Sequence, residues 1–204
     1  MHPNPVFRGA TDAFNLDYAR EEGFGMLAVT VEGAPLLSHI PFVLNAAGDL
    51  AEFHLVRSNP IARLAPGAPA RLAVQGPHSY VSPDWYGAED QVPTWNYVAV
   101  HLVGEIEPCP EAGLRDLLER QSEAYETRLL PKTPWTADKM SDGVMERMMR
   151  QILPFRMRIA EVHGTWKLGQ NKAEAQRLSA AGHVDAHGMG QETALLAGLM
   201  RGAV

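Results

Sequence analysis

Apolar and polar residues alternate over short runs in the first third of the chain, a pattern typical of β-strands. Three runs, residues 26–31, 36–44 and 50–56, are rich in β-branched and aromatic residues and are separated by turn-forming sequences. Strands joined by short turns usually pair in antiparallel fashion. The pattern therefore predicts an antiparallel meander in this part of the chain.

Strand-like runs resume at residues 70–76, 78–82, 94–108 and 155–164. The run 94–108 is long for one strand and contains Gly104, which indicates a bulge or a bend. Such a bend is one way in which a sheet curls into a barrel. We therefore expect a mainly β fold of the α+β class, in which the last run closes the sheet.

Other segments carry helical signals. Thr11 can cap a helix that Gly23 would end, and Ser58 and Asn59 precede Pro60 in a similar arrangement. Apolar residues at helical spacing predict two more helices, one with a methionine stripe that we assign to the core or to a subunit contact. The predicted helices cover residues 12–22, 60–65, 114–129, 145–152, 172–182 and, more weakly, 191–201.

Length and composition favour one compact domain over residues 1–204. The chain has 204 residues, is 46% hydrophobic and shows no internal repeat or linker. Cys109 is the only cysteine, so an intrachain disulfide is excluded and a reducing cytoplasm is expected. No stretch is apolar enough for a membrane span or an export signal.

The charge of the chain argues against nucleic acid as the main partner. Eighteen basic and 24 acidic side chains give a net charge of −6, which repels a polyanion. Residues 139–177 hold a modest local excess of basic side chains. We interpret that span as an ordinary solvated face, with a DNA-binding patch as the alternative.

Aromatic residues are concentrated between residues 76 and 107. This stretch holds two of the four tryptophans, three of the five tyrosines and two histidines. A core can be filled with aliphatic residues, whereas aromatic rings with polar tips suit a surface that stacks on a flat ligand. Trp95, Asn96 and Tyr97 are the strongest part, and we expect one face to stack on a ligand while the other packs inward.

Two short sequences could complete such a site. Arg57, Ser58 and Asn59 stand where a strand ends and a helix starts, and they offer a guanidinium, a hydroxyl, an amide and backbone N–H groups suited to a phosphate. A plain helix cap is the alternative. Residues 38–41 include Pro41, which interrupts ladder pairing and could free backbone groups for a ligand.

A third polar group follows the last predicted strand. Lys167, Gln170 and Asn171 have the spacing i, i+3 and i+4, so they share one face beside Trp166 if the turn is helical. They could then bind an anion or a ring carbonyl. A solvated helix start is an equal alternative.

Several chemistries find no support in the sequence. No hydrolase elbow, zinc-protease helix, phosphate-binding P-loop or dinucleotide fingerprint is present. The strand histidines have no metal-ligand spacing, and the glycines around His183 and His187 make a stable helix there doubtful. We therefore expect no metal site and assign no catalytic side chain.

The motifs together resemble the PaiB family, described as FMN-binding negative transcriptional regulators. The matching segments are SHIPF (38–42), HLVRSNP (54–60), GPHSYVSPDWY (76–86), VPTWNYVAVHLVG (92–104) and WKLGQN (166–171). This family belongs to the FMN-binding split-barrel superfamily, which includes pyridoxamine-phosphate oxidases. The resemblance implies a six-stranded antiparallel split β-barrel with flanking helices, and a homodimer that binds FMN in clefts between subunits.

The resemblance also implies where FMN would bind. The phosphate would lie near Arg57, Ser58 and Asn59, and Lys167, Gln170 and Asn171 are carried over as motif positions without a defined role. The ring would lie near His39, Ile40, Pro41, Tyr80 and Trp95, and Ser38 and Asn96 are further candidate contacts of the cofactor.

The expected function is that of a flavin-dependent oxidoreductase or redox sensor. A DNA-associated transcriptional regulator without turnover and a haem-binding split-barrel protein are the alternatives. Haem would require a histidine axial ligand.

Overall fold

The computed structural model describes residues 2–31, 33–64 and 66–203. Within these ranges, seven strands carry most of the fold: β1 Phe24–Val29, β2 Leu36–Leu44, β3 Leu50–Val56, β4 Ala68–Val81, β5 Thr94–Pro108, β6 Ile152–Lys167 and β7 Gly190–Gln191. The described residues also form five α-helices: α1 Asp12–Glu22, α2 Leu114–Glu126, α3 Val144–Met149, α4 Glu174–His187 and α5 Thr193–Gly202. Short 3-10 helices lie in the connections: Pro5–Phe7, Pro60–Arg63, Pro83–Tyr86, Glu111–Gly113, Thr127–Leu129 and Ala137–Lys139.

The strands form one sheet in the order β1-β2-β3-β6-β5-β4-β7. An additional antiparallel pairing joins β1 to β4, with Met26 opposite Ala73, so six strands form a closed ring of hydrogen bonds. The register places Met26 opposite His39 and Phe53 opposite Phe155. The predicted six-stranded antiparallel barrel with flanking helices is confirmed.

The chain divides into two compact units. The first unit comprises Met1–Asn15, Val74–His101 and His163–Val204, and the second comprises Leu16–Ala73 and Leu102–Val162. The single domain expected over residues 1–204 stays a prediction.

Each unit has a core of its own. In the second unit the stacked rings of Phe53 and Phe155 lie 6.0 Å apart, and neither side chain is more than 3% exposed. In the first unit α4 packs against α5 through the buried residues Ala180, Ala181, Val184, Leu196, Ala197 and Met200. Burial of such apolar surface is the main stabilising contribution in each unit.

Gly104 has a steric role in β5. A Cβ atom at this position would collide with the carbonyl oxygen of Arg158. The expected strand 94–108 is confirmed in full. Close approach of the neighbouring backbone accounts for the glycine.

Several element boundaries differ from the sequence prediction. Residues 70–76 and 78–82 were expected as two strands, but β4 runs without a break through Gly76 and Pro77. The helix expected over residues 60–65 is a 3-10 turn, Pro60–Arg63. The helix expected over 145–152 ends at Met149, and Ile152 already begins β6. Met148 is 56% exposed, so it is not a core residue of this chain.

The doubt about a helix at His183 and His187 was wrong. Both residues lie in α4, which continues through Gly182. Gly182 has no atom within 4 Å of its potential Cβ, so it faces open space. The packing of Ala180, Ala181 and Val184 outweighs the low helix propensity of one glycine.

The helical face expected for Lys167, Gln170 and Asn171 is also wrong. Lys167 is the last residue of β6, and residues 168–172 form a turn. The amide of Gln170 closes this turn, because it donates to Trp166 O at 2.6 Å and accepts from Leu168 N at 2.8 Å. These side-chain bonds replace helical ones. Across the described residues, no helix has both the length and the apolar character needed to cross a membrane.

Candidate functional site

A connected series of aromatic rings lies in the first unit. We name it the aromatic run, and it consists of His78 and Tyr80 on β4, Trp85 on a 3-10 turn, Trp95 at the start of β5 and His183 on α4. His78 and Tyr80 are two positions apart on one strand and therefore point to the same side. Ser79 and Val81 point to the other side and are buried. The strand thus presents its rings away from the core.

Each ring of the aromatic run contacts the next, from His78 through Trp95, Tyr80 and Trp85 to His183. The ring of Trp95 lies 6.0 Å from that of His78 and 6.2 Å from that of Tyr80. The ring of Tyr80 lies 6.5 Å from that of Trp85, which in turn stacks on His183 at 5.7 Å with an interplanar angle of 13°. Trp95 is 46% exposed. An indole held by two neighbours and open to solvent is a surface on which a flat ligand can stack.

Two half-buried lysines in the same unit make no ion pair among the described residues. The ammonium of Lys167 donates to the hydroxyl of Thr94, the residue before Trp95. The ammonium of Lys172 donates to Gln91 Oε1 at 2.5 Å and lies 5.2 Å from the ring centroid of Tyr86. Burial, and then the charge of Lys172, lowers the pKa of Lys167. An anion beside Lys167 would favour the charged ammonium and so oppose both of these effects on its pKa.

The other predicted residues of the first unit have structural contacts. Asn96 is 1% exposed, and its Nδ2 lies 3.6 Å from the sulfur of Met200. Gln170 closes the turn after β6, and Asn171 is exposed on that turn. Among the predicted residues of this unit, the structure brings together the rings of Tyr80 and Trp95. Lys167 lies near Trp95, because its ammonium donates to the hydroxyl of the preceding residue, Thr94.

In the second unit, Ser38 and Asn59 come together. Asn59 Nδ2 donates to Ser38 Oγ at 3.1 Å, and Asn59 Oδ1 accepts from Ile61 N at 3.0 Å. Asn59 therefore caps the 3-10 helix Pro60–Arg63, and Ser58 is exposed beside it. The cap expected as the alternative to phosphate binding is present, at Asn59.

Arg57 is engaged by neighbouring groups in the second unit. Its Nη2 lies 2.5 Å from a carboxylate oxygen of Glu111, and its Nε donates to the carbonyl of Arg150 at 2.7 Å. A phosphate at this position would have to compete with the carboxylate of Glu111. The predicted phosphate contacts of Arg57, Ser58 and Asn59 stay a prediction.

Residues 38–41 divide between the two faces of β2. Ile40 is 2% exposed and belongs to the core, whereas His39 is exposed and stacks on Phe24 at 6.4 Å. The carbonyl of Pro41 accepts from Gln121 Nε2 at 3.2 Å. Backbone groups beside Pro41 could have been free for a ligand, but α2 already supplies a donor to this carbonyl.

Gln121 also contacts His54. The amide oxygen of Gln121 lies 3.2 Å from His54 Nδ1, so one glutamine side chain joins β3 to the Pro41 carbonyl of β2. Burial lowers the pKa of His54, and the hydrogen bond with Gln121 is a smaller effect in the opposite direction. Burial therefore favours the neutral form of His54.

Much of the basic span 139–177 has internal partners. Arg156 and Arg158 share one carboxylate oxygen of Glu107, at 2.5 Å and 3.1 Å. Arg177 is 6% exposed and donates to the carbonyls of Met200 and Arg201. These arginines offer little free charge to a polyanion. DNA binding stays a prediction without support from these contacts.

Sequence reasoning missed several residues of the first unit: His78, Trp85, Thr94, Lys172 and His183. Trp85 lies in the aromatic-rich stretch, and that concentration was the available signal. Thr94 and His183 carry no local signal, because only the fold brings them to Lys167 and Trp85.

Comparison with known proteins identifies the family of the chain. Residues 1–161 match the family described as "Putative FMN-binding domain". The protease synthase and sporulation protein PAI 2 of Bacillus subtilis is 31% identical over 179 residues, which cover 86% of this chain and 85% of that protein. The resemblance to the PaiB family is confirmed.

Solved structures share the fold. The FAD and haem binding protein from Mycobacterium smegmatis superposes with a TM-score of 0.58 at 17% identity, covering 90% of this chain and 82% of that one. The flavocytochrome Anf3 from Azotobacter vinelandii has a TM-score of 0.53 at 14% identity, covering 74% and 65%. At these identities the likeness concerns the fold alone. The chain thus belongs to the FMN-binding domain family, has the split-barrel fold, and has a flavin as its ligand class.

Proposed function

We propose that the chain binds FMN on the aromatic run of the first unit. The observation that carries this proposal is Trp95, which is 46% exposed while Tyr80 and His78 hold its ring. An exposed indole of this kind would lose water-exposed apolar surface when a flat ring covers it. Tyr80 adds a phenol that can hydrogen-bond the edge of the ring.

The charges near the aromatic run also suit FMN. Lys167 and Lys172 bring two ammonium groups with neutral partners. A terminal phosphate carries close to two negative charges at neutral pH and accepts charge-assisted hydrogen bonds from such groups. This donor set supports FMN over FAD, because a terminal phosphate monoester is present only in FMN.

A bound flavin supplies the redox chemistry, and the side chains supply orientation and electrostatics. Lys167 would hold positive charge next to Trp95, where it favours an anionic ligand group. We propose a flavin-dependent oxidoreductase or redox sensor, and we assign no side chain as an acid or a base. Ser38, Asn59 and Arg57 of the second unit remain predicted contacts.

We also propose that the chain forms a homodimer through an apolar strip of the second unit. Phe24 on β1 and Leu37 on β2 are 55% and 56% exposed, and Met26 and its partner His39 lie between them on the same side of the two strands. A largely apolar strip on a sheet face suits a self-complementary twofold contact. The variant Phe24→Ser/Leu37→Ser should sediment as a monomer. Leu195→Ser, which changes an exposed leucine of α5, should leave the dimer intact.

Absorbance and titration of the purified chain test the flavin proposal. We expect flavin absorbance on purification, or saturable quenching of FMN fluorescence by the apoprotein with tighter binding than FAD. Uptake of neither flavin would overturn the proposal, and preference for FAD would overturn its FMN part. A Soret band on haem titration, without flavin uptake, would favour the haem alternative.

A further inference from the structure

A cavity of about 700 Å³ lies in the second unit, on the outer side of α2. The inner face of α2 is buried through Leu114, Leu117 and Gln121. The outer face presents residues at helical spacing to the cavity, and residues 134–138, the covering segment, complete the lining together with Met145. The cavity is lined on the helix side by Arg115, Leu118, Glu119, Ser122, Glu123 and Glu126.

The covering segment is fixed by hydrogen bonds. Glu126 accepts from the backbone N–H of Trp135 at 2.7 Å and from the ammonium of Lys132. The ammonium of Lys139 donates to the carbonyl of Pro134 at 2.7 Å. Trp135 lines the cavity and is 37% exposed. The volume is in the range of sites that bind small molecules, roughly 300 to 1,000 Å³.

Negative charge dominates the lining. Four carboxylates, those of Glu119, Glu123, Glu126 and Asp138, face one guanidinium, that of Arg115. Arg115 pairs with Glu146 at 2.6 Å and with Glu119 at 3.5 Å, and Lys132 pairs with Glu126. In the part of the chain that the structure describes, Glu123 and Asp138 make no ion pair. These two carboxylates of the cavity are therefore available to a cationic ligand.

We propose that this cavity binds an organic cation, a protonated amine attached to an apolar body. The ammonium would form charge-assisted hydrogen bonds with Glu123 and Asp138 and lie against the face of the Trp135 indole. The apolar body would pack on Leu118 and Met145, which also line the cavity. An anion is disfavoured by the same charges. This site does not depend on the flavin proposal, because its residues all belong to the second unit.

Titration with phenethylamine tests the proposal. Binding is monitored by calorimetry and by the NMR signal of the Trp135 indole N–H in a ¹⁵N-labelled sample. We expect saturable binding with one site per chain. Phenethyl alcohol and phenylacetate have the same ring without the positive charge. At equal concentrations we expect both to leave the Trp135 signal unchanged.

Isosteric variants locate the site. Glu123→Gln and Asp138→Asn should each weaken amine binding about tenfold, the loss expected for one charge-assisted contact. Glu89→Gln removes an exposed carboxylate of the first unit and should leave amine binding unchanged. Unfolding curves of each variant show whether the fold is retained.

Three results would overturn the proposal. The first is no shift of the Trp135 signal with amine, and the second is equal binding of the amine and the alcohol. The third is amine binding that both carboxylate variants retain at full strength. FMN uptake is measured in the same samples, so a failure of the amine site is distinguishable from a failure of the flavin site.

Discussion

The indole of Trp85 lies parallel to the imidazole of His183, with ring centroids 5.7 Å apart. This stack joins the 3-10 turn Pro83–Tyr86 to α4 and forms one end of the aromatic run. It therefore links the position of Trp85 to the packing of a helix.

The first prediction concerns this stack. His183→Ala should lower the free energy of unfolding by about 1 kcal/mol, because an aromatic pair is lost. Urea unfolding measures the change. His187→Ala removes an imidazole one turn later on the same helix, where the ring is tilted to His183 at 6.3 Å. That control should change stability by only a few tenths of a kcal/mol, and equal effects of the two variants would contradict a role for the stack.

The second prediction concerns the flavin. Trp95→Ala should weaken FMN binding about tenfold or more, the usual cost of losing an aromatic stacking partner. Fluorescence titration of the apoprotein measures the affinity. Trp135→Ala is the matched control, since it removes a similarly exposed tryptophan that lines the cavity of the second unit. Unchanged FMN affinity in Trp95→Ala would show that the flavin does not bind on the aromatic run.

Glycine substitutions give a third prediction. Gly104→Ala should destabilise the chain by about 3 kcal/mol or more, because the added Cβ meets the carbonyl of Arg158 and neither backbone can withdraw. Gly182→Ala should instead stabilise it by about 0.5 to 1 kcal/mol, since Gly182 lies within α4 and faces open space. Thermal or urea unfolding of both variants checks the opposite signs.

The fourth prediction is a pH dependence that originates at His54. Burial lowers its folded pKa below the unfolded value of about 6.5. The unfolded chain therefore takes up a proton first, and stability falls as the pH drops through 6.5 towards the lowered pKa. His54→Gln cannot titrate, so the variant should lose less stability than the natural chain between neutral pH and about pH 5. Urea unfolding at several pH values measures the change. If the free energy of unfolding falls equally with pH in the variant and in the natural chain, the effect belongs to another group.

The sequence patterns predicted elements well where local and tertiary preferences agree. The strands predicted over residues 36–44 and 50–56 have the same bounds as β2 and β3. Local signals failed where packing overrides them. Gly76 and Pro77 indicate a break, yet β4 continues because its residues on either side are paired with β1 and β7. Gly182 indicates a weak helix, yet α4 is held by its contact with α5.

The candidate site could be predicted only in part. Tyr80 and Trp95 were accessible from the density of aromatic residues, because their rings stand on strands of predictable direction. The roles of Asn96 and Gln170 depend on contacts with Met200 and Trp166, which no local pattern encodes. The cavity beside α2 could not be predicted either, because its lining combines one face of a helix with residues 134–138 and with Met145 of α3.

Helix α2 contacts strand β2 on its inner side and lines the acidic cavity on its outer side. Tyr125 donates to the carbonyls of Gly23 and Phe42, at 2.5 Å and 3.2 Å, and Gly23 O also accepts from the backbone N–H of Phe42 at 2.8 Å. Solvent exchange of the Phe42 amide requires its bond to Gly23 O to open, and Tyr125 of α2 is bonded to that same carbonyl. An amine that immobilises α2 from the outside would therefore slow deuterium uptake at Phe42, on the opposite side of the helix from the bound molecule.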